Sequence, residues 1–186
     1  DGNKAVITGA GTCYITAKAV STPNWYDATP VQRELIVEKA DQTVDFDDLA
    51  DKTYGDEPFA LTAEASSGQE VTFTSSDPQI LFIDGTTAKI LGAGDVVITA
   101  TQAGGDDYQP MSSTKNLHIN KANLQAKADD VERIYGDKNP KLTITYTGFV
   151  NGDTEYDLDE QPKASTNANE STPVGTYDIG ITPIED

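Results

Sequence analysis

Clusters of aspartate are the residues of this chain whose type and spacing best suit a binding chemistry. Calcium takes several carboxylate and carbonyl oxygens as ligands, and proteins often supply them from loops. The clusters lie near two repeat boundaries and in one loop, and the candidate ligands are Asp45, Asp47, Asp48, Asp106, Asp107, Asp129 and Asp130. No cluster has the ligand spacing of an EF-hand loop, so a solvated acidic surface is the alternative interpretation. We expect no other cofactor.

Residues that usually act as nucleophile, base or zinc ligand are scarce, because the chain has one cysteine and one histidine. Cys13 corresponds by internal repeat to Val96, an apolar strand position, so we expect a buried thiol. His118 is expected to point outward from a strand. Neither residue lies near a partner motif for nucleophilic catalysis, and a zinc site lacks ligands. The glycines of Gly9–Gly11 and Gly92–Gly94 precede strands, so they predict turns rather than phosphate-binding loops. We predict no enzymatic activity.

An aromatic pair in one loop supplies the only candidate for ligand stacking. Tyr26 corresponds to Tyr108, and we expect both in a core or tyrosine-corner position. Trp25 corresponds to Asp107 and has no aromatic counterpart, which favours an exposed indole. An exposed Trp25 can stack on a sugar, although packing at an interface is the commoner role.

The charge of the chain excludes some partners. The formal net charge is −18, from 31 acidic and 13 basic residues. Such a field repels nucleic acid and anionic membranes, which are bound by patches of Lys and Arg. No apolar run is long enough to cross a bilayer. With a single cysteine, no disulfide can form within the chain. We therefore predict neither nucleic-acid binding nor membrane insertion.

Three sequence markers recur at nearly one spacing, which indicates an array with a unit of about 80 residues. The matching pairs are Gly9–Ala17 with Gly92–Ala100, Leu35–Ala40 with Leu117–Ala122, and Tyr54–Pro58 with Tyr135–Pro140. Their offsets are 83 residues (9 to 92), 82 residues (35 to 117) and 81 residues (54 to 135). The predicted units are the C-terminal part of one Ig-like module (1–40), a complete module (41–122) and a third, truncated module (123–186). These are called the first, second and third segments.

Alternating apolar and polar residues predict strands. Val96, Ile98 and Ala100 alternate with more polar or outward positions, and Val71 and Phe73 alternate with threonines. This period of two is typical of strands with one face on a core. Turn residues separate the short runs, and no run has a helical period. The predicted fold is all-β, with tandem immunoglobulin-like sandwiches of Greek-key topology.

Two families are similar to these segments. Residues 43–121 resemble a bacterial Ig-like repeat, and residues 124–182 resemble a repeat of the MBG type. The first resemblance rests on Lys52–Asp56, Ser66–Ser76 and Gly92–Gln102. The second rests on Tyr135–Asp137, Leu142–Asp153 and Pro173–Tyr177.

The resemblance implies an extracellular, non-catalytic part of a large bacterial adhesin-type surface protein. Such modules occur in tandem, so the expected partners are neighbouring repeats of the parent chain or head-to-tail neighbouring chains. These would complete the end modules, which we expect to be incomplete. The leading hypothesis is a stalk or spacer. The alternatives are a module that binds a glycan or a host protein, and an accessory domain of a secreted glycan-active enzyme.

Overall fold

A computed structural model describes residues 4–182 of the chain, and the fold is all-β as predicted. The first segment contains β1 (Gly11–Ala17) and β2 (Val31–Val37). The second contains β3 (Val44–Phe46), β4 (Lys52–Thr53), β5 (Phe59–Ala60), β6 (Ala63–Ala65), β7 (Thr72–Ser75), β8 (Leu81–Asp84), β9 (Thr87–Ile90), β10 (Gly94–Gln102) and β11 (Met111–Asn120). The third contains β12 (Gln125–Ala128), β13 (Ile144–Thr147), β14 (Ala164–Ser165) and β15 (Gly180–Ile181), with a 3₁₀ turn at Glu155–Asp157.

The long strands β10 and β11 form the centre of the second segment. The four-stranded sheet has the order β4-β11-β10-β7, in which β4 pairs with β11 in parallel and the other pairs are antiparallel. Val96, Ile98 and Ala100 are buried on β10, as the alternation in the sequence predicts. Burying a side chain such as Ile98 contributes about 1.5–3 kcal/mol to stability.

Shorter strands supply the other side of the core. The pair β3-β6 and the sheet β5-β9-β8 contribute buried residues to the same cluster as the four-stranded sheet. Phe46 of β3 meets Phe73 of β7 edge to face, with ring centroids 5.6 Å apart. The arrangement is consistent with a β-sandwich. All the buried apolar residues of the described chain lie in this segment: Val44, Phe46, Leu61, Ala65, Phe73, Leu81, Ala88, Ile90, Val96, Ile98, Ala100, Leu117 and Ile119.

The hairpin β1-β2 repeats the pairing of β10-β11. Gly11 pairs with Val37, and the corresponding Gly94 pairs with Ile119. The sequence repeat is therefore also a repeat of strand register. No other described strand pairs with β1 or β2.

Two residues of the first segment are exposed, contrary to prediction. Cys13 is exposed, although Val96 at the corresponding position is buried. Tyr26 is completely exposed, while Tyr108 is half-buried. The reason is the same for both: the facing strands that cover β10 in the second segment have no described counterpart over the hairpin.

The third segment has two separate strand pairs, β12-β13 and β14-β15. Tyr146 of β13 packs against Phe149, with centroids 5.7 Å apart. No described side chain of this segment is fully buried, and an open groove of about 1010 Å³ runs along it. Within residues 4–182, none of the structure is a helix with the length and hydrophobicity needed to cross a bilayer.

Candidate functional site: the junctions between segments

The aspartates proposed as calcium ligands are dispersed rather than gathered. Among residues 4–182, no three His, Cys, Asp or Glu side chains are arranged to hold a metal ion. Asp45, Asp47, Asp106 and Asp130 are exposed. The other three carboxylates, those of Asp48, Asp107 and Asp129, accept hydrogen bonds from the protein. Calcium binding by these residues stays a prediction.

Two of those carboxylates have a lowered pKa. Asp48 accepts a hydrogen bond from Lys115 Nζ at 2.6 Å, and this bond and the lysine charge lower the pKa of Asp48. Asp129 accepts hydrogen bonds of 2.6 Å from the hydroxyls of Thr143 and Thr145, which lower its pKa. Asp129 thereby ties the loop after β12 to β13.

The single histidine is exposed, as predicted. His118 Nδ1 lies 2.6 Å from Asp95 Oδ1, across the paired strands β10 and β11. The hydrogen bond with Asp95 raises the pKa of His118. The pair lies on the outer face of the sheet, and Thr12 and Ile36 occupy the corresponding positions of the first segment.

The loop between β10 and β11 contacts the first segment through Asp107. Its Oδ1 accepts a hydrogen bond of 2.7 Å from the backbone N–H of Ala10, before β1. Its carbonyl oxygen accepts one of 2.8 Å from the N–H of Ala40, after β2. A Cβ added at Gly9 would lie 2.9 Å from Asp107 Oδ1, so this approach requires glycine or movement of the carboxylate. Asp107 therefore joins both ends of the first segment's hairpin to the second segment.

Two further bonds complete this first junction. The N–H of Gln109 donates to the carbonyl oxygen of Ala40 at 2.8 Å. Ala40 and Tyr108 thereby form an isolated parallel β-bridge. Lys39 Nζ donates to the carbonyl oxygen of Gly105 at 2.7 Å. Four hydrogen bonds thus hold the loop 104–109 against residues 9–10 and 39–40.

A buried amide network supports the loop from below. The side chains of Gln42 and Gln102 are buried and bonded to each other. Gln42 Nε2 donates to the carbonyl oxygen of Gln109 at 2.6 Å, and Gln102 Nε2 donates to Gln69 Oε1 at 2.8 Å. Buried amides need such partners. This network was not predicted from the sequence, although Gln102 continues the inward series of β10, where a polar residue is a detectable signal.

The second junction joins the Tyr54–Asp56 turn to the third segment. Tyr54 Oη donates to Asp153 Oδ2 at 3.0 Å. Gly55 has a φ of 102° and packs on Val150, since an added Cβ would lie 2.8 Å from the valine Cβ. The N–H of Tyr54 donates to the carbonyl oxygen of Asn120 at 2.9 Å, which fixes the turn beside the end of β11.

The Tyr-Gly-Asp motif therefore contacts the next segment in addition to forming the turn predicted from the sequence. The turn itself was expected, and Asp56 N–H donates to the Thr53 carbonyl oxygen at 3.0 Å. The motif was expected at the beginning of a module. In the structure, β4 pairs with the C-terminal residues of β11, so the motif lies beside the point where the third segment begins. Sequence alone missed this because Tyr54 and Asp153 are 99 residues apart.

The two junctions use corresponding residues on the preceding segment. Gly9-Ala10 and Lys39-Ala40 lie at the first junction. Gly92-Ala93 and Lys121-Ala122 line a cleft of about 250 Å³ at the second, together with Tyr54 and residues 148–150. The Gly-Ala pair that begins one repeated marker and the Lys-Ala pair that ends another thus lie at both junctions.

Trp25 lies away from both junctions. Its indole is 77% exposed, and its backbone is held by two hydrogen bonds with Thr22, of 3.0 and 3.1 Å. Whether Trp25 binds a ligand stays a prediction.

A comparison with known families finds a match, which lies in the third segment. Residues 124–186 match the MBG domain (YGX type). The predicted resemblance of this segment is confirmed, and Tyr135–Asp137 supplies its Tyr-Gly sequence. The match covers about a third of the chain (63 of 186 residues) and does not extend to the segment predicted as Ig-like. No curated protein and no solved structure matches the chain.

Proposed function

We propose that this chain is a non-catalytic spacer from a large secreted or cell-surface bacterial protein of the adhesin type. Its modules would hold a distal binding domain away from the cell. The observation that carries the proposal is the junction geometry, in which corresponding residues of successive segments contact the segment that follows. An array whose units touch mainly their neighbours transmits length and direction along the chain.

The short connections support the same role. Four residues separate β11, which ends at Asn120, from β12, which begins at Gln125. A linker this short, held on one side by Tyr54 and Asp153, restricts the relative motion of the segments. The match of residues 124–186 to the MBG domain agrees with a repeat module rather than an enzyme.

Backbone NMR relaxation tests whether the segments are fixed to one another. We expect amides of the second and third segments to report one rotational correlation time, as in a body with fixed junctions. The control is Tyr54→Phe combined with Asp153→Asn, which removes the hydrogen bond of the second junction. Separate, shorter correlation times in the unmodified protein would contradict a spacer with fixed junctions.

A binding module is the second candidate, favoured by the exposure of Trp25. An exposed aromatic ring can stack on a sugar or enter a protein interface. Screening the protein against a glycan array and host extracellular proteins tests it, with Trp25→Ala as the variant. Tyr156→Ala is the control, since Tyr156 is also exposed and lies in the third segment. Saturable binding lost only in Trp25→Ala would favour this candidate over the spacer alone.

Calcium remains an additional proposal for the acidic residues at the boundaries. If Asp129 and Asp130, in the loop after β12, bind calcium, adding calcium should raise the melting temperature and EDTA should reverse the change. Equal melting temperatures in calcium and in EDTA would contradict the proposal.

A further inference from the structure

The turn Tyr135–Asp137 has the same backbone form as the turn Tyr54–Asp56. Gly55 and Gly136 have positive φ values of 102° and 90°, a backbone conformation that favours glycine. The N–H of Asp56 donates to the Thr53 carbonyl oxygen at 3.0 Å, and the N–H of Asp137 donates to the Ile134 carbonyl oxygen at 3.1 Å. The third segment therefore presents a second copy of the turn that forms the second junction.

The two copies differ in what covers them. Val150 packs on Gly55, whereas no described atom lies within 4 Å of a Cβ added at Gly136. Tyr54 is half-buried, while the side chains of Ile134 and Tyr135 are 75% and 61% exposed. Two neighbouring large side chains are thus exposed at the uncovered copy.

The element that covers the first copy is a tight turn of the third segment. The N–H of Asp153 donates to the Val150 carbonyl oxygen at 2.9 Å. The two central residues, Asn151 and Gly152, have φ values of 56° and 88°. Positive φ at both central residues is typical of an Asn-Gly type I′ turn. This turn holds Val150 and Asp153 in place. Val150 packs on Gly55, and Asp153 accepts the hydrogen bond from the Tyr54 hydroxyl.

We propose that Tyr135 and Gly136 form the docking surface for another module of the third segment's kind. The partner is recognised by its Val-Asn-Gly-Asp turn. The aspartate of that turn accepts a hydrogen bond from Tyr135, and its valine packs on Gly136. The proposal rests on the spacer function and names the type of module that can be the next in the array.

The chain's own Val150–Asp153 turn cannot cover Tyr135 and Gly136, because it is already in contact with Tyr54 and Gly55. A test therefore needs a second copy of the turn. An extended protein, in which residues 123–186 are repeated after Asp186, supplies it. The extension is made with and without a short flexible insert, so that linker length does not decide the result.

Nitration of tyrosines, followed by peptide mass spectrometry, measures the cover at each turn. We expect the original Tyr135 to react readily in the 186-residue protein and at least several-fold more slowly in the extended protein. Replacing only the appended copy's Asp153 and Val150 with Asn and Ala should restore the fast reaction. The exposed Tyr156 is the control for general reactivity.

The same spectra separate failure of this inference from failure of the proposed function. If Tyr54 is protected but Tyr135 reacts equally fast in both proteins at both linker lengths, the docking surface is wrong and the spacer proposal stands. If Tyr54 also reacts as fast as Tyr156, the junction on which both proposals rest does not form.

Discussion

Tyr54 and Asp153 are joined by a hydrogen bond of 3.0 Å between the phenol and the carboxylate, although 99 residues separate them in the chain. The bond links the end of one repeat segment to a turn of the next. It shows that the Tyr-Gly-Asp motif serves the junction as well as its own turn.

Removing the phenol hydroxyl should weaken this junction. We predict that Tyr54→Phe lowers stability by about 0.5–1.5 kcal/mol, the usual net contribution of one hydrogen bond. Urea unfolding followed by fluorescence measures the change. Tyr156→Phe is the matched control, because Tyr156 is exposed, and it should change stability little. Equal effects of the two substitutions would show that the bond does not contribute.

Glycine at position 55 is required by both backbone and packing. Gly55 and Gly68 both have positive φ, but only Gly55 has a neighbour against the site of a Cβ. We predict that Gly68→Ala costs about 1–2 kcal/mol through the backbone alone. Gly55→Ala should cost about 1–3 kcal/mol more, because its methyl group overlaps Val150. Thermal unfolding gives both values.

Rescue by a smaller partner separates the two causes. Val150→Gly, which removes the Cβ and both methyl groups, should recover part of the stability lost in Gly55→Ala and none of that lost in Gly68→Ala. If Val150→Gly rescues neither variant, the close contact between Gly55 and Val150 is absent in solution.

The buried amides below the first junction should be sensitive to truncation. Gln42→Ala removes the donor to the Gln109 carbonyl oxygen and one of the donors to Gln102 Oε1, and an unsatisfied buried group costs about 1–3 kcal/mol. We predict a loss of that size by urea unfolding. Gln79→Ala is the control, since Gln79 is exposed. A loss no larger than the control's would mean that water or a shifted side chain replaces the amide.

The His118–Asp95 pair predicts a pH dependence. The hydrogen bond that the protonated imidazole donates to Asp95 raises the pKa of folded His118 above its ordinary value of 6.5. The contribution to stability is therefore complete below the unfolded pKa and is lost as pH rises through the raised folded pKa. NMR titration of the single imidazole should give a pKa above 6.5, and Asp95→Asn should lower it. An unchanged pKa in Asp95→Asn would exclude the pairing.

The sequence predicted the local structure well because that structure depends on local pattern. The alternation on β10 predicted which side chains are buried, and the repeated sequence markers fold into two hairpins with matching register. Burial of Cys13 and Tyr26 was predicted wrongly, since it depends on a facing sheet that a repeat correspondence does not guarantee. The junction contacts were missed because they join residues far apart in sequence, and pattern analysis along one strand does not detect them.

The most direct test of the account is a distance distribution across the first junction, measured by pulsed electron paramagnetic resonance. Spin labels are placed on the exposed Cys13 and on Lys89→Cys, an exposed position of β9. A second pair, Glu70→Cys with Lys89→Cys in a Cys13→Ser background, measures the width within one segment. Asp107→Ala removes the hydrogen bond to the backbone N–H of Ala10. Asp106→Ala is the matched control, because the Asp106 side chain makes no hydrogen bond with the described residues.

We predict a distribution across the junction nearly as narrow as that within the second segment. Asp107→Ala should broaden it, and Asp106→Ala should leave it unchanged. A broad distribution in the unmodified protein, indifferent to Asp107, would mean that the segments are connected only by a flexible linker, and the spacer with fixed junctions would be wrong.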